Sequence, residues 1–333
     1  MIIEKNESLD LTCSIVLYKT DRSELLNAIS CVLNANLKVK IFLIDNSPTN
    51  KLASVLDNDE RVEYIFNNKN LGYGAAHNVA IRLSKDLSKY HLILNADVEF
   101  DPAILNKAFL LLEHNKSVSL VSPKVVSPDG KHLPFCRLLP TPFDLFARRF
   151  LPAFMKDFLV KKLNNYLMLF SGYDEPMNIP NLPGCFMFVR TEMLNRLGGF
   201  DEKFFMYVED VDLTRRIYQN SKCIYYPDIQ ITHGLARGSA KLSILMMYHI
   251  KSAIYYFNKW GWFIDKERKM VNKHLIATYD DFSDSSHKNF GLRPVLEPIP
   301  ELPIEQKAKI DYSGNVEKIR LGAVDVVTQS HYI

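Results

Sequence analysis

Residues 12–18 (TCSIVLY) form a short β-branched apolar run. A polar turn, Lys19-Thr20-Asp21, follows, and Leu25, Leu26, Ile29, Val32 and Leu33 then recur at helical spacing. This reads as strand, turn and helix. Two further apolar runs, 39–44 (VKIFLI) and 62–66, end in the polar clusters Asp45-Asn46-Ser47-Pro48 and Asn67-Asn68-Lys69-Asn70. Leu71-Gly72-Tyr73-Gly74 opens a helix carrying Val79, Ile81 and Leu83, and 91–94 (HLIL) predicts a buried strand delivering Asn95-Ala96-Asp97-Val98-Glu99 at its end. Pro102 starts a helix with Ile104, Leu105, Phe109 and Leu112. Strands are expected at 118–122 and 184–190, with two short ones in 223–233 around Pro227. Strands alternating with helices indicate an α/β fold, a Rossmann-like, mainly parallel sheet flanked by helices. Ligands of such sheets bind beyond the carboxyl ends of the strands, so Asp45 lies where a nucleotide would be held. Asp-Asn-Ser-Pro is equally good turn chemistry.

The pattern changes at 138–170, where bulky apolar residues mix with Arg148, Arg149, Lys156, Lys161 and Lys162 between Pro140, Pro142 and Pro152. Short basic amphipathic helices are expected, suited either to docking on an anionic membrane face or to packing as an insertion over a site's mouth. From 239 to about 273, aromatic and basic residues alternate in what reads as one helix, again a packing or an interfacial one. Residues 281–333 turn polar and then proline-rich (RPVLEPIPELPIEQ), an extended arm that orders on a partner or a second copy of the chain. The expected division is a catalytic-size domain over 1–265, including the 138–170 insertion, and a C-terminal helix end plus arm over 266–333.

The densest stretch is Phe204-Phe205-Met206-Tyr207-Val208-Glu209-Asp210-Val211-Asp212-Leu213, with three carboxylates in four residues. Leu213 and Ile217 repeat at helical spacing and Asp212 can pair with Arg216, so a helix begins near Asp210. Glu209 and Asp210 at its start are expected to be held ionised by unpaired N–H groups and the helix dipole, as a general base requires; ordinary helix capping would use the same residues.

With 333 residues, 47% of them hydrophobic, the chain can bury a full core. A net charge of +3 is too small a bias to argue for nucleic acid. Five scattered cysteines with no CxxC pair point to reduced thiols in a cytoplasmic compartment. Residues 1–10 lack the zones of a signal peptide, and no apolar run is long enough to span a bilayer.

A dinucleotide-binding reading fails on glycine, because the first turn carries no G-x-G-x-x-G. At the end of the HLIL run, Asp97 and Glu99 project to one side of an extended chain. That spacing lets two oxygens approach one Mg²⁺ or Mn²⁺, and a solvated loop is the plainer alternative.

Together, Ser14-Ile15-Val16-Leu17-Tyr18, Ile44-Asp45-Asn46-Ser47, Asn70-Leu71-Gly72-Tyr73-Gly74 with Asn78, Asn95-Ala96-Asp97, Gly184-Cys185-Phe186-Met187, Gly198-Gly199-Phe200-Asp201-Glu202, the 204–213 stretch and His233 form an ordered set. The set resembles family 2 glycosyltransferases of the rhamnosyltransferase-like branch over about residues 12 to 260. The resemblance implies a GT-A fold and inverting, metal-dependent transfer of a sugar, rhamnose among the candidates, from a nucleotide diphosphate sugar. The acceptor would be a hydroxyl of a glycan or lipid-linked molecule in cell-surface polysaccharide synthesis. It implies nucleotide contacts at Tyr18, Asp45, Asn70, Gly72, Asn78 and Asn95, a Mg²⁺ or Mn²⁺ site at Asp97 with His233 and Glu99, and Asp210 as general base beside Glu209. Many relatives carry Asp-x-Asp where this chain has Asn95-Ala96-Asp97, and Lys19 stands where many have Asn. The expected location is cytoplasmic, with peripheral contact at the inner face of the membrane and dimerisation through the arm as further expectations. Two other readings are a catalytically silent relative that binds an assembly partner, and a nucleotidyltransferase. The latter would carry a glycine- and basic-rich loop after the first strand, which Tyr18-Lys19-Thr20 does not supply.

Overall fold

The computed structural model describes residues 8–54, 59–147, 156–234 and 242–279, together with Leu296. The first half alternates as expected: β1 (Leu9–Leu17), α1 (Arg22–Leu33), β2 (Val39–Asp45), β3 (Val62–Phe66), α2 (Tyr73–Leu83), β4 (Ser88–Leu94), β5 (Val98–Glu99), α3 (Ala103–His114) and β6 (Val118–Val126). Asp21 starts α1: its Oδ1 accepts from the N–H groups of Ser23 (2.8 Å) and Glu24 (3.3 Å), which the first turn cannot pair internally. The second half adds α4 (Lys156–Tyr166), β7 (Met177–Asn178), β8 (Phe186–Arg190), α5 (Thr191–Leu197), α6 (Glu209–Tyr218), β9 (Lys222–His233), α7 (Leu242–Trp260) and α8 (Lys266–Tyr279).

The strands join in one sheet, ordered β3-β2-β1-β4-β8-β6-β9-β5, with β7 added on β9. β1 is parallel to β2 and β4, β2 to β3, and β6 to β9, while β8 runs antiparallel to both β4 and β6. Central strands are covered on both faces. Leu11, Ile15 and Leu17 of β1 are buried, and so are Phe186 and Phe188 of β8, each contributing about 1.5–3 kcal/mol by leaving water. Several of the polar exceptions bond to one another within the core, though His77 Nε2 has no partner among the described residues. Ser14 Oγ lies 2.7 Å from His77 Nδ1 and 2.9 Å from His91 Nε2, and Thr12 Oγ1 lies 2.9 Å from His91 Nδ1. Burial keeps both imidazoles neutral, lowering His91 to about 3 and His77 well below its ordinary value.

The reversed strand β8 matters for the site. It brings Cys185 beside the end of β4, where Asn95 N–H donates to Cys185 O at 2.9 Å, and β9 sets His233 opposite Val98 across an antiparallel pair.

Two expectations are corrected. Residues 223–233 belong to one strand, not two: Tyr226 faces Pro123 and Gln230 faces Lys124, so residues 227–229 form a bulge around Pro227, which has no N–H for the ladder. The single helix expected over 239–273 is two, α7 and α8, broken at Gly261. Gly261 has φ +105°, and a Cβ there would lie 2.7 Å from Ile264 O. Of the two uses open to 138–170, packing is seen at several of its described residues, while Val160 and Leu169 stay exposed. Leu138, Leu139, Tyr166 and Met168 are buried in a cluster that α8 joins through Val271, Leu275 and Tyr279. Residues 148–155, with Arg148, Arg149 and Pro152, lie outside the described residues. So do the arm and the dimer contact expected of it, except Leu296, which packs against the main core. All five cysteines are buried and none forms a disulfide.

Candidate active site

The loops after β1, β2 and β3 are tied into one wall. Asp45 ends β2 fully buried; its Oδ1 accepts from Ser47 N–H at 2.7 Å and its Oδ2 from the Tyr64 hydroxyl at 2.6 Å. Burial first, and Asp45 second, push the Tyr64 hydroxyl up, so it stays a donor. Asn46 donates through Nδ2 to Gly72 O (3.1 Å) and Asn70 Oδ1 (3.3 Å), and accepts from Asn67 Nδ2 (2.9 Å). Ser47 Oγ accepts from Lys19 N–H at 2.9 Å, with Lys19 in the left-handed region (φ +54°) and Tyr18 exposed beside it. Every polar group of Asn46 is paired, so this wall is fixed before any ligand arrives.

Gly72 joins that wall to the other half of the site. Its φ is +88°, and a Cβ would lie 2.2 Å from Phe205 O, the carbonyl that accepts from Tyr73 N–H at 3.0 Å. Only glycine permits this approach. The Tyr73 hydroxyl sits 2.7 Å from Gly184 O and 2.9 Å from Asn95 Oδ1. Gly184 N–H in turn donates to Asp210 Oδ2 at 3.0 Å. On the far side, Asn95 Nδ2 lies 3.3 Å from His233 Nε2, itself 3.2 Å from Asp97 Oδ1. One chain of polar contacts therefore runs from Asp97 through His233, Asn95, Tyr73 and Gly184 to Asp210. Burial holds the Tyr73 hydroxyl protonated, well above its ordinary range.

The segment leading into α6 is strained. Tyr207 (φ +70°) and Val208 (φ +69°) are consecutive non-glycine residues in the left-handed region, the second of them β-branched. Packing holds them there: Val208 is buried with Phe204, Val211, Ala253, Tyr256 and Phe257, and Ser252 Oγ donates to Met206 O at 2.8 Å. The three carboxylates that follow have different fates. Asp212 is fully buried and bound by Arg216 Nε, Trp260 Nε1 and Lys259 Nζ, each at 2.8 Å, so it anchors α7 to α6. Asp210 is half-buried, its Oδ1 accepting from Val211 N–H (2.9 Å). Burial raises it, against the lowering effects of Arg137 and of the Val211 and Gly184 N–H groups. Glu209 is buried, its Oε2 has no hydrogen-bond partner among the described residues, and burial plus the Asp210 charge raise it well above the carboxylate range. Desolvation outweighs the helix terminus at both acids, raising them where the helix start alone would lower them.

A family model for glycosyl transferase family 2 matches residues 13–198, more than half of the chain. The chain belongs to that family. The glycosyltransferase is 25% identical over 241 residues to an N-acetylglucosaminyl-diphospho-decaprenol L-rhamnosyltransferase of Mycobacterium tuberculosis, covering 67% of this chain and 76% of that one. It is 27% identical over 213 residues to the low-salt glycan biosynthesis hexosyltransferase Agl10 of Haloferax volcanii, covering 62% and 61%. Two solved structures share its GT-A fold. GalNAc-T7 with UDP, GalNAc and Mn²⁺ has a TM-score of 0.53 and 14% identity, covering 82% of this chain and 59% of that one. The mannosyltransferase PcManGT of Pyrobaculum calidifontis with GDP-Man and Mn²⁺ has a TM-score of 0.51 and 14% identity, covering 82% and 75%.

Asn78 and Glu99, singled out from sequence, stand apart from both the wall and the chain of contacts. Asn78 is a buried clamp: its Nδ2 donates to Phe200 O (2.9 Å) and Glu202 Oε1 (3.0 Å), and its Oδ1 accepts from Phe200 N–H (2.8 Å). Glu99 is exposed on β5, because a turn at Ala96-Asp97 replaces the extended chain that would have aligned it with Asp97. Among the described residues no three His, Cys, Asp or Glu side chains gather as a metal site. The donor set still fits a divalent cation in part. One carboxylate oxygen and one imidazole nitrogen face each other, as suits Mn²⁺ more than Mg²⁺, and His233 Nδ1 is buried without a partner among the described residues. Sequence reading missed Arg137, whose charge reaches Asp210 and whose buried Nε has no partner among the described residues, and Glu24, whose carboxyl is raised by burial and then by Asp97. No local motif marks either one; Tyr73 stood only within a glycine motif.

Proposed function

We propose that this glycosyltransferase moves a sugar from a nucleotide diphosphate sugar to a hydroxyl of a glycan or lipid-linked acceptor, with inversion, Asp210 being the general base. The observation that carries the reading is the run of polar contacts from the Asp97–His233 pair through Asn95, Tyr73 and Gly184 to Asp210. In this reading Asp45, Tyr18, Asn70, Gly72 and Asn95 line the nucleotide side, and Asp97 and His233 hold a divalent cation that neutralises charge on the departing diphosphate. Asp210 accepts the acceptor's proton as the new C–O bond forms. The old anomeric C–O bond breaks with its electron pair going to the β-phosphate, and attack opposite the leaving group inverts the anomeric carbon. Gly184 and Val211 N–H groups fix the Asp210 carboxylate, and Arg137 opposes the effect of burial on it. The names of the mycobacterial and archaeal relatives motivate rhamnose or another hexose, a polyprenyl-diphosphate acceptor and a role in envelope or surface glycan synthesis on the cytoplasmic side.

Calorimetric titration with UDP, GDP and dTDP in Mn²⁺ tests the donor half. One nucleotide should bind with the cation and lose affinity with chelator or in Asp97→Ala; equal affinity with and without chelator overturns the cation role.

A further inference from the structure

We infer that the outer face of α7, continued by the α7–α8 turn, is the surface on which the enzyme rests on an anionic lipid bilayer. This deepens the proposed function, resting on its lipid-linked acceptor, and names the partner surface. On α7, Ile244, Met247 and Ile254 project outward at spacings of three and seven residues, so they share one face. Lys251 is exposed between them, while Ala253, Tyr256 and Phe257 on the opposite side are buried. A surface helix normally turns charged and polar residues to water on that side. Phe263 and Ile264 follow at 86% exposure each, and Met270 at 67%. Side chains of this size left in water are a patch that calls for a partner.

The charge around the patch selects the partner. Lys251, Lys266, Lys269 and Lys273 are all exposed beside it. The acids of these two helices and their turn are Asp265 and Glu267, and both are engaged: Arg215 Nη1 and Nη2 meet them at 2.8 and 2.6 Å, and Gln219 Nε2 donates to Glu267 at 2.8 Å. An apolar stripe edged by cations, with both carboxylates of these two helices and their turn engaged, matches the headgroup and acyl boundary of an anionic membrane. Among the described residues no helix is long and apolar enough to cross one, so the helix lies in the interface. Its first half also packs against the strained segment before Asp210, with ring centroids of Tyr248 and Phe205 4.5 Å apart and of His249 and Tyr207 5.7 Å apart. The membrane-facing stripe therefore ends at the mouth where a lipid-linked acceptor would be presented. Within 138–170, Phe146 stacks on Trp262 with ring centroids 6.1 Å apart as part of the turn's support.

Flotation of the full chain with phosphatidylcholine vesicles, with and without phosphatidylglycerol, is the test. Binding should require the anionic lipid and weaken as salt rises. The triple substitution Met247→Ser, Phe263→Ser, Ile264→Ser should lower the partition coefficient about tenfold or more. Lys266→Glu with Lys269→Glu and Lys273→Glu should lower it as well. Trp260 and Trp262 are the chain's two tryptophans, so brominated acyl chains should quench the unmodified protein's fluorescence. No flotation of the wild type, no quenching, or unchanged flotation of the serine variant overturns the inference. It is equally overturned if sedimentation velocity shows a dimer that the serine variant abolishes while vesicles do not bind, which would make the face an interface between copies. Donor hydrolysis in solution separates the two readings. If it persists in the serine variant while vesicle binding is absent from the wild type, only the membrane surface fails; if no sugar nucleotide is bound or hydrolysed while flotation follows the expected pattern, only the transferase reading fails.

Discussion

The two halves of the site are built on opposite terms. Around Asp45, Asn46, Asn70 and Gly72 each buried polar group has a partner, and the wall is complete without ligand. Around Glu209 and His233 buried atoms such as Glu209 Oε2 and His233 Nδ1 are unpaired among the described residues, and the left-handed backbone that the wall holds only at single residues, Lys19 and Asn68, falls here on two consecutive ones, Tyr207 and the β-branched Val208. A paired wall serves to hold an invariant part of a ligand, whereas strain and unspent hydrogen-bonding capacity are what a reacting centre uses. Breaking the first half should cost stability and binding together. Breaking the second should cost turnover while stability holds or rises.

The largest effect is expected at Asp210. Asp210→Asn keeps the shape but cannot take a proton, so turnover should fall roughly a hundredfold to ten-thousandfold while donor affinity and melting temperature hold. A base works deprotonated, and burial raises Asp210, so wild-type turnover should fall on acidification at a pH above the ordinary aspartate range. Near-normal turnover in Asp210→Asn, measured with Glu209→Gln and Asp212→Asn as companions, would move or remove the base.

Gly72→Ala should break the paired half. The added carbon meets Phe205 O and the backbone sits at φ +88°, so a loss of about 1–3 kcal/mol is expected with donor affinity falling in parallel. Thermal melting and calorimetric titration on one preparation check this, and loss of turnover alone would contradict it.

The smallest effect sharpens the comparison. Glu209 is raised in the folded chain, so its contribution is fully present below the unfolded carboxyl pKa and is lost as pH rises through the folded value. Glu209→Gln should therefore melt higher than wild type at neutral pH, by about 1 kcal/mol or a few degrees, with the gap closing in acid. A melting temperature equal to or below wild type at neutral pH would show that Glu209 is satisfied after all.

Much of the fold was legible because burial and periodicity are local signals: β1, β2, β3, α1 and α2 fall where alternation of apolar runs and polar turns puts them. The ordered motifs also placed Asp45, Asn95, Asp97, Asp210 and His233 at element ends, where sheet topology collects ligands. The outer segments were less legible. Whether an apolar residue in 138–170 or 239–273 is covered depends on what packs on it, and neighbours in space are not neighbours in sequence. Leu138 and Tyr166 are covered, while Phe263 and Ile264, no more apolar, are not.

The sequence by itself determined the α/β alternation, the glycine that lets α2 approach Phe205, and the set of acids at the ends of strands and at the start of α6. Only the tertiary structure decided which acid does what. Asp212 is spent on Arg216, Lys259 and Trp260, Asp210 receives two backbone N–H groups, and Glu209 is left buried with an oxygen unpaired among the described residues. Sequence fixes a carboxylate's intrinsic acidity and its place on a helix, but desolvation and distant charges such as Arg137 set its proton affinity, and those depend on contacts that exist only once the chain is folded.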